Sequence, residues 1–200
     1  MSPKQTLALG ATLILLSASS LTAQDDKDHS GGRAVLVYGQ GGGLSALTDL
    51  DDAGTADFKT GFNAGSGIGV QLNKYVALRG NFTFARATAR GASSFTGTKF
   101  NRFFYDGDVQ LRYPFPGGVA PYIFAGGGGV TVDQSGSTGE PTFTKGAGKV
   151  GVGLTYQIPR SNVGLYAEGG GWIYKWDRNG FDKTQFDTAW SGGISYRFPF

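Results

Sequence analysis

The chain contains no cysteine, which excludes disulfides, thiolate metal sites, cysteine nucleophiles and a lipid-modified N-terminal cysteine together. Charge is scarce as well: Asp, Glu, Lys and Arg make up 16% of the 200 residues, against about 25% in an average soluble domain. Histidine occurs once, as His29, in the polar stretch QDDKDHSGG. It reads as a solvated tail residue, and without a second histidine there is no base for a serine-type lipid hydrolase. Nowhere do about 18 apolar residues follow one another, so the sequence holds no transmembrane helix. A net charge of +3 is too small to point to nucleic acid.

What is abundant is glycine, with 35 residues, and aromatic side chains, at 14%. A disordered chain would lack the aromatics, and a collagen-like chain would place glycine at every third position. The first two dozen residues read as a targeting segment: Lys4 is a short positive region, Leu7 to Leu16 an apolar stretch, and Ser17 to Ala23 a run of mostly small residues. We expect residues 1–23 to be a signal peptide cleaved near Ala23, with cleavage after Ser20 as the alternative. Residues 24–32 then form a short polar segment, and 33–200 a single domain.

Within that domain the dominant signal has a period of two, which is the mark of strands. From Phe186 onward, Phe186, Thr188, Trp190, Gly192, Ile194, Tyr196, Phe198 and Phe200 share one side, while Asp187, Ala189, Ser191, Gly193, Ser195 and Arg197 share the other. Residues 101–113 set Phe103, Tyr105, Val109, Leu111 and Tyr113 against Arg102, Asp106, Asp108, Gln110 and Arg112. Such runs predict eight strands, at 33–43, 60–72, 75–87, 100–113, 119–133, 146–158, 163–176 and 186–200. In the seventh, Trp172, Tyr174 and Trp176 fall on the same side as Glu168 unless a bulge intervenes. Short connections at 73–74, 114–118 and 159–162 alternate with longer polar ones at 44–59, 88–99, 134–145 and 177–185. An even number of antiparallel strands with turns at one end and loops at the other is the pattern of an outer-membrane barrel.

A soluble barrel also alternates, but it turns its apolar face inward. Eight strands leave an interior only wide enough to be filled by side chains, and eight rows of Phe, Tyr, Leu and Trp exceed it. The apolar face must therefore look outward, into lipid. The reading is all-β: an eight-stranded antiparallel up-and-down transmembrane β-barrel.

The ending ISYRFPF, with aromatics at alternate positions and a terminal phenylalanine, resembles the C-terminal strand of bacterial outer-membrane proteins. With the targeting segment and the strand count, the mature chain is similar to small OmpA/OmpX-type and opacity-like barrels. The resemblance implies that Tyr196, Phe198 and Phe200 are an assembly signature read by the barrel-insertion machinery. Pro199 departs from the commonest ending, in a place where proline is tolerated.

Chemistry would have to sit on the inward face. Projecting the third and fourth strands against each other brings Arg79 opposite Asp108 and Asn81 opposite Asp106, with Arg102 and Arg112 on the same side. Lys149, Glu168 and Arg197 join from other strands, facing small residues at Gly67, Gly69, Ala125, Gly127 and Gly153. These eight charged residues are expected to form a salt-bridge network that plugs the lumen; a selective conduit lined by them is the alternative. Paired carboxylates for acid/base work are disfavoured, since neighbouring arginines hold them ionised. Gly146, Gly148 and Gly151 satisfy G-x-G-x-x-G, yet the following VGLTYQI alternates as a strand, not a helix. No cofactor, metal or enzymatic activity is expected.

Two loop features complete the reading. Asp49, Asp51, Asp52 and Asp57 cluster in the first long loop without the full ligand spacing of a calcium site. Arg86, Arg90, Lys99 and Arg102 flank the second, at a height suited to anionic lipopolysaccharide head groups. Three functional classes follow: a structural or surface-interaction barrel, a narrow porin-like channel for small or hydrophobic solutes, and, most remotely, a lipid-modifying enzyme.

Overall fold

In the computed structural model, residues 32–48, 56–91, 97–135, 142–177 and 182–200 are described. The expected signal peptide, His29, and Asp49, Asp51 and Asp52 of the acidic loop lie outside them. The strands are β1 Ala34–Ala46, β2 Ala56–Phe58, β3 Gly61–Gln71, β4 Val76–Gly91, β5 Lys99–Arg112, β6 Val119–Ser135, β7 Phe143–Gln157, β8 Val163–Trp176 and β9 Lys183–Pro199. Every neighbouring pair is antiparallel. The last strand returns to the first, from Ala34 opposite Pro199 to Ala46 opposite Asp187, and closes the ring. Closure leaves no unpaired edge, as hydrocarbon surroundings require.

Eight of these strands form the barrel, at the places the alternation predicts. The ninth, β2, is a three-residue addition within the first long connection; it pairs with the far end of β4, Phe58 opposite Ala89. The loop ends also reach further than expected. β4 runs on to Gly91 and β7 begins at Phe143, because in a hairpin each added pair satisfies two backbone groups that a loose loop would leave to water.

The tight turns are built by local chemistry. At the first, the Asn73 Oδ1 accepts from the backbone N–H groups of Tyr75 at 2.8 Å and Val76 at 2.9 Å, an Asx arrangement that reverses the chain. At the second, Gly117 and Gly118 have φ of 89° and 85°, the left-handed region that a side chain resists. Both chain ends of the barrel lie at this short-turn end.

Outward faces carry the apolar rows: Ile68 is 59% exposed, Val152 61%, Trp190 64% and Ile194 59%. Inward positions include Arg79, Arg102, Asp106, Asp108, Lys149, Asp187 and Arg197, all buried. A water-soluble protein inverts this arrangement. Apolar outside and charged inside is the cross-section of a membrane barrel.

Candidate functional site

The strand register aligns the charges. Arg79 on β4 stands opposite Asp108 on β5, and Asn81 opposite Asp106, so directly opposed side chains share the inward face. Arg79 Nε donates to Asp108 Oδ1 at 2.7 Å and its Nη2 to Oδ2 at 3.1 Å, the paired geometry for which a guanidinium is shaped. Its remaining arm, Nη1, crosses to Glu168 Oε2 on β8 at 2.9 Å. From β7, Lys149 Nζ reaches Asp106 at 2.8 Å and Asp108 at 3.2 Å. Asn81 Nδ2 donates to both aspartates, at 2.7 and 2.9 Å. Five charges from four strands are thus held together mid-barrel.

Neutral donors complete the shell. Trp172 Nε1 donates to Asp106 at 3.1 Å and Tyr122 OH to Glu168 at 2.9 Å; Tyr38 OH donates to Asn81 Oδ1. A buried ion is tolerable only when its other lone pairs are satisfied in this way. The Arg79 guanidinium also lies over the Phe124 ring, 4.9 Å from its centroid, a favourable placement for a desolvated cation.

Arg102 belongs to a separate group nearer the loops. Its Nη1 donates to Asp187 Oδ2 on β9 at 2.9 Å, where Tyr174 OH also donates at 2.7 Å. The guanidinium stacks over Phe58 at 4.2 Å. Since Arg102 is fully buried, it cannot belong to a basic rim meeting lipid head groups. Of the residues assigned to that rim, Arg86, Arg90 and Lys99 remain on the outward face.

Around this pair and towards the loops the lumen is mostly apolar, with Gln185 buried among the rings. Phe58, Phe100, Phe104, Trp172, Tyr174, Trp176, Val130 and Val132 form one buried cluster. Phe104 stacks on Trp172 with centroids 4.3 Å apart, and Trp176 sits edge-on to Phe143 at 5.0 Å and to Phe100 at 5.8 Å. Phe58 is supplied by β2, which explains the short strand: it lays one ring across the loop-end mouth. The aromatics of β8 do share the side of Glu168, and no bulge separates them, because the pairing with β9 is continuous from Val163 to Trp176.

Towards the short turns the charges thin out. Arg112 Nη1 donates to Gln71 Oε1 at 2.9 Å, and Arg197, 6% exposed, makes no ion pair among the described residues. Of the eight charges read from the sequence, five meet in one network, Arg102 pairs elsewhere, and Arg112 and Arg197 have no carboxylate partner among the described residues.

The phase of β6 requires a correction. Gly126 opposes Asp108 and Gly128 opposes Asp106, so Gly126 and Gly128 share the charged face, and Ala125 and Gly127, expected inward, face out. Tyr122 and Phe124 consequently enter the lumen, which the sequence reading had reserved for smaller groups. They fit because the facing strands carry glycine: a Cβ on Gly153 would collide with the Tyr122 ring, and one on Gly151 with Phe124. The signal that could have found them is the distribution of glycine itself, concentrated on the strands that face large inward rings.

A closed eight-stranded antiparallel barrel with an apolar exterior and a charged interior defines a small transmembrane β-barrel. The chain matches the family described as "Outer membrane protein beta-barrel domain" over residues 11–198, and it belongs to that family, which places it in the bacterial outer membrane. Among solved structures it is similar to Neisserial surface protein A, with 20% identity and a TM-score of 0.60 over 84% of this chain and 99% of that one. It is also similar to the N-terminal barrel domain of Pseudomonas aeruginosa OprF, with 16% identity and a TM-score of 0.52 over 84% of this chain and 99% of that one. A third, the outer membrane protein OprG from Pseudomonas aeruginosa, gives 14% and 0.50 over 86% of this chain and 99% of that one. At these identities the likeness is one of fold. Comparison with curated protein sequences finds no match.

Proposed function

We propose that the protein is a structural or surface-interaction barrel whose lumen is shut by its own side chains, and that its loops, not its interior, carry its dealings with the outside. The observation that supports this reading is the reach of Arg79, which joins Asp108 on β5 to Glu168 on β8 and so crosses the barrel instead of lining a wall. The aromatic cluster at the loop end forms a second barrier in series. An ion would have to displace both. In this reading the first two dozen residues are a cleaved signal peptide and the C-terminal aromatics are an insertion signature. Arg86, Arg90 and Lys99 meet anionic lipopolysaccharide, and no reaction is catalysed.

Liposomes carrying the refolded protein test this by osmotic swelling in arabinose. Swelling no faster than in protein-free liposomes supports the shut barrel. Rapid swelling supports the competing reading, a narrow channel for small solutes.

A further inference from the structure

We propose that the short-turn end of the lumen is a binding site for a small free oxyanion of the phosphate class, held by Arg112, Arg197 and Gln71. The inference is independent of whether the lumen conducts.

Three observations lead there. First, Arg197 is a buried cation and Arg112 a half-buried one, and neither meets a carboxylate among the described residues. Arg112 and Arg197 are near enough to repel each other, while Arg79, the next cation above them, has committed its guanidinium to Asp108 and Glu168. Two like charges held together out of water cost free energy unless an anion offsets them.

Second, donors are left over at this place. Among the described residues, the Nε groups of Arg112 and Arg197 and the Nε2 of Gln71 are buried without a partner, and one acceptor, Gln110 Oε1, is left over beside them. Gln71 is fully buried, and its Oε1 is fixed by Arg112 Nη1, so its amide N–H groups are turned to whatever else lies there. Arginine forks and an amide donor suit an oxyanion with several acceptor atoms. These donors outnumber the single free acceptor beside them, Gln110 Oε1.

Third, the approach is basic. Among the described residues, the short-turn segments 72–75, 113–118 and 158–162, with 32–33, contain Arg33, Lys74 and Arg160 and no aspartate or glutamate. Such a mouth concentrates anions by its field. In the outer-membrane family the short turns face the periplasm, so the ion would come from that side. A phospholipid would have to carry its acyl chains into a lumen where Gln71 is wholly enclosed and Arg197 nearly so. The donors therefore fit a free ion rather than a lipid head group.

The test is isothermal titration of inorganic phosphate into the full refolded barrel in a maltoside detergent free of phosphate, with ionic strength fixed by sodium chloride. One saturable site is expected. Arg197→Gln and Arg112→Gln should each weaken it by at least about tenfold, as befits loss of a charge-assisted bond, while Lys74→Gln weakens it much less. Should the arginine variants fail to refold, Gln71→Met removes a donor without altering charge and should still weaken binding severalfold. Absence of saturable heat in the parent overturns the proposal, as does an affinity equal to the parent's in both Gln71→Met and Arg197→Gln. Displacement of phosphate by lysophosphatidylglycerol, but not by chloride, would overturn the choice of a free ion in favour of a lipid source.

Discussion

Asp108 is the residue on which the interior turns. It accepts from both arms of Arg79, from Asn81 and from Lys149, so its loss takes one of two carboxylate partners from each of two buried cations and leaves Arg79 only Glu168 and Lys149 only Asp106. Asp108→Ala should lower stability to urea by about 3–5 kcal/mol, the usual penalty for breaking a buried pair from one side. Arg79→Ala combined with Asp108→Ala should recover part of that loss, because the guanidinium whose Nε and Nη2 had lost their acceptor is gone. A cycle with no coupling between the two positions would show that the pair is not formed. Gly153 gives a second test at this scale, for Gly153→Val should cost about 1–3 kcal/mol by forcing the Tyr122 ring aside. A variant as stable as the parent would mean that the ring does not lie over that glycine.

The sequence made the Arg79–Asp108 facing legible because both flanking strands alternate cleanly and period two fixes which side each residue takes. It did not make β6 legible. AGGGGV has no large side chain to mark a face, so a slip of one position leaves its pattern unchanged while reversing Tyr122 and Phe124. Asp187 was recognised as inward but was not joined to Arg102, since their contact spans 85 positions of sequence and crosses the lumen, where alternation along a strand carries no information.

Among the elements, β8 and β9 divide the three tryptophans between two environments. Trp172 and Trp176 are buried in the loop-end cluster, and Trp190 is 64% exposed on the lipid-facing side. Brominated lipid should therefore quench much of the parent's emission but little of the emission of Trp190→Phe. Strong quenching in that variant would place β8 tryptophans in lipid and reverse the strand. The C-terminal strand makes a separate prediction. Phe198 and Phe200 both face outward and are well exposed, whereas the backbone of Pro199 lies opposite Ala34 in the closing pair. Phe200→Asp should reduce the amount of assembled barrel in the outer membrane without altering the urea midpoint of molecules that do assemble. Normal assembly of that variant would remove the role assigned to the terminal ring.

At the scale of the whole molecule, the eight-strand count, the order of turns and loops, and the inside-out cross-section all follow from the sequence, because each is repeated on many strands and survives an error on any one. The extra strand β2 was not legible. Three residues are too few to show a period, and Phe58 is held by rings that β5 and β8 bring to it and by the Arg102 guanidinium. In the proposed reading the interior is closed by two kinds of matter in series, a charged network at mid-height and an aromatic cluster near the loops. Removing Arg79 and Asp108 leaves the aromatic barrier in place, so conductance should appear only when Phe100→Ala is added to the double variant.

The most direct test is the ionic current through single refolded molecules in a planar lipid bilayer at moderate salt. The account predicts that the parent shows no resolved openings and that the triple variant Arg79→Ala, Asp108→Ala, Phe100→Ala does. A steady, ion-selective current through the parent, with its selectivity changed by Asp108→Ala alone, would contradict it.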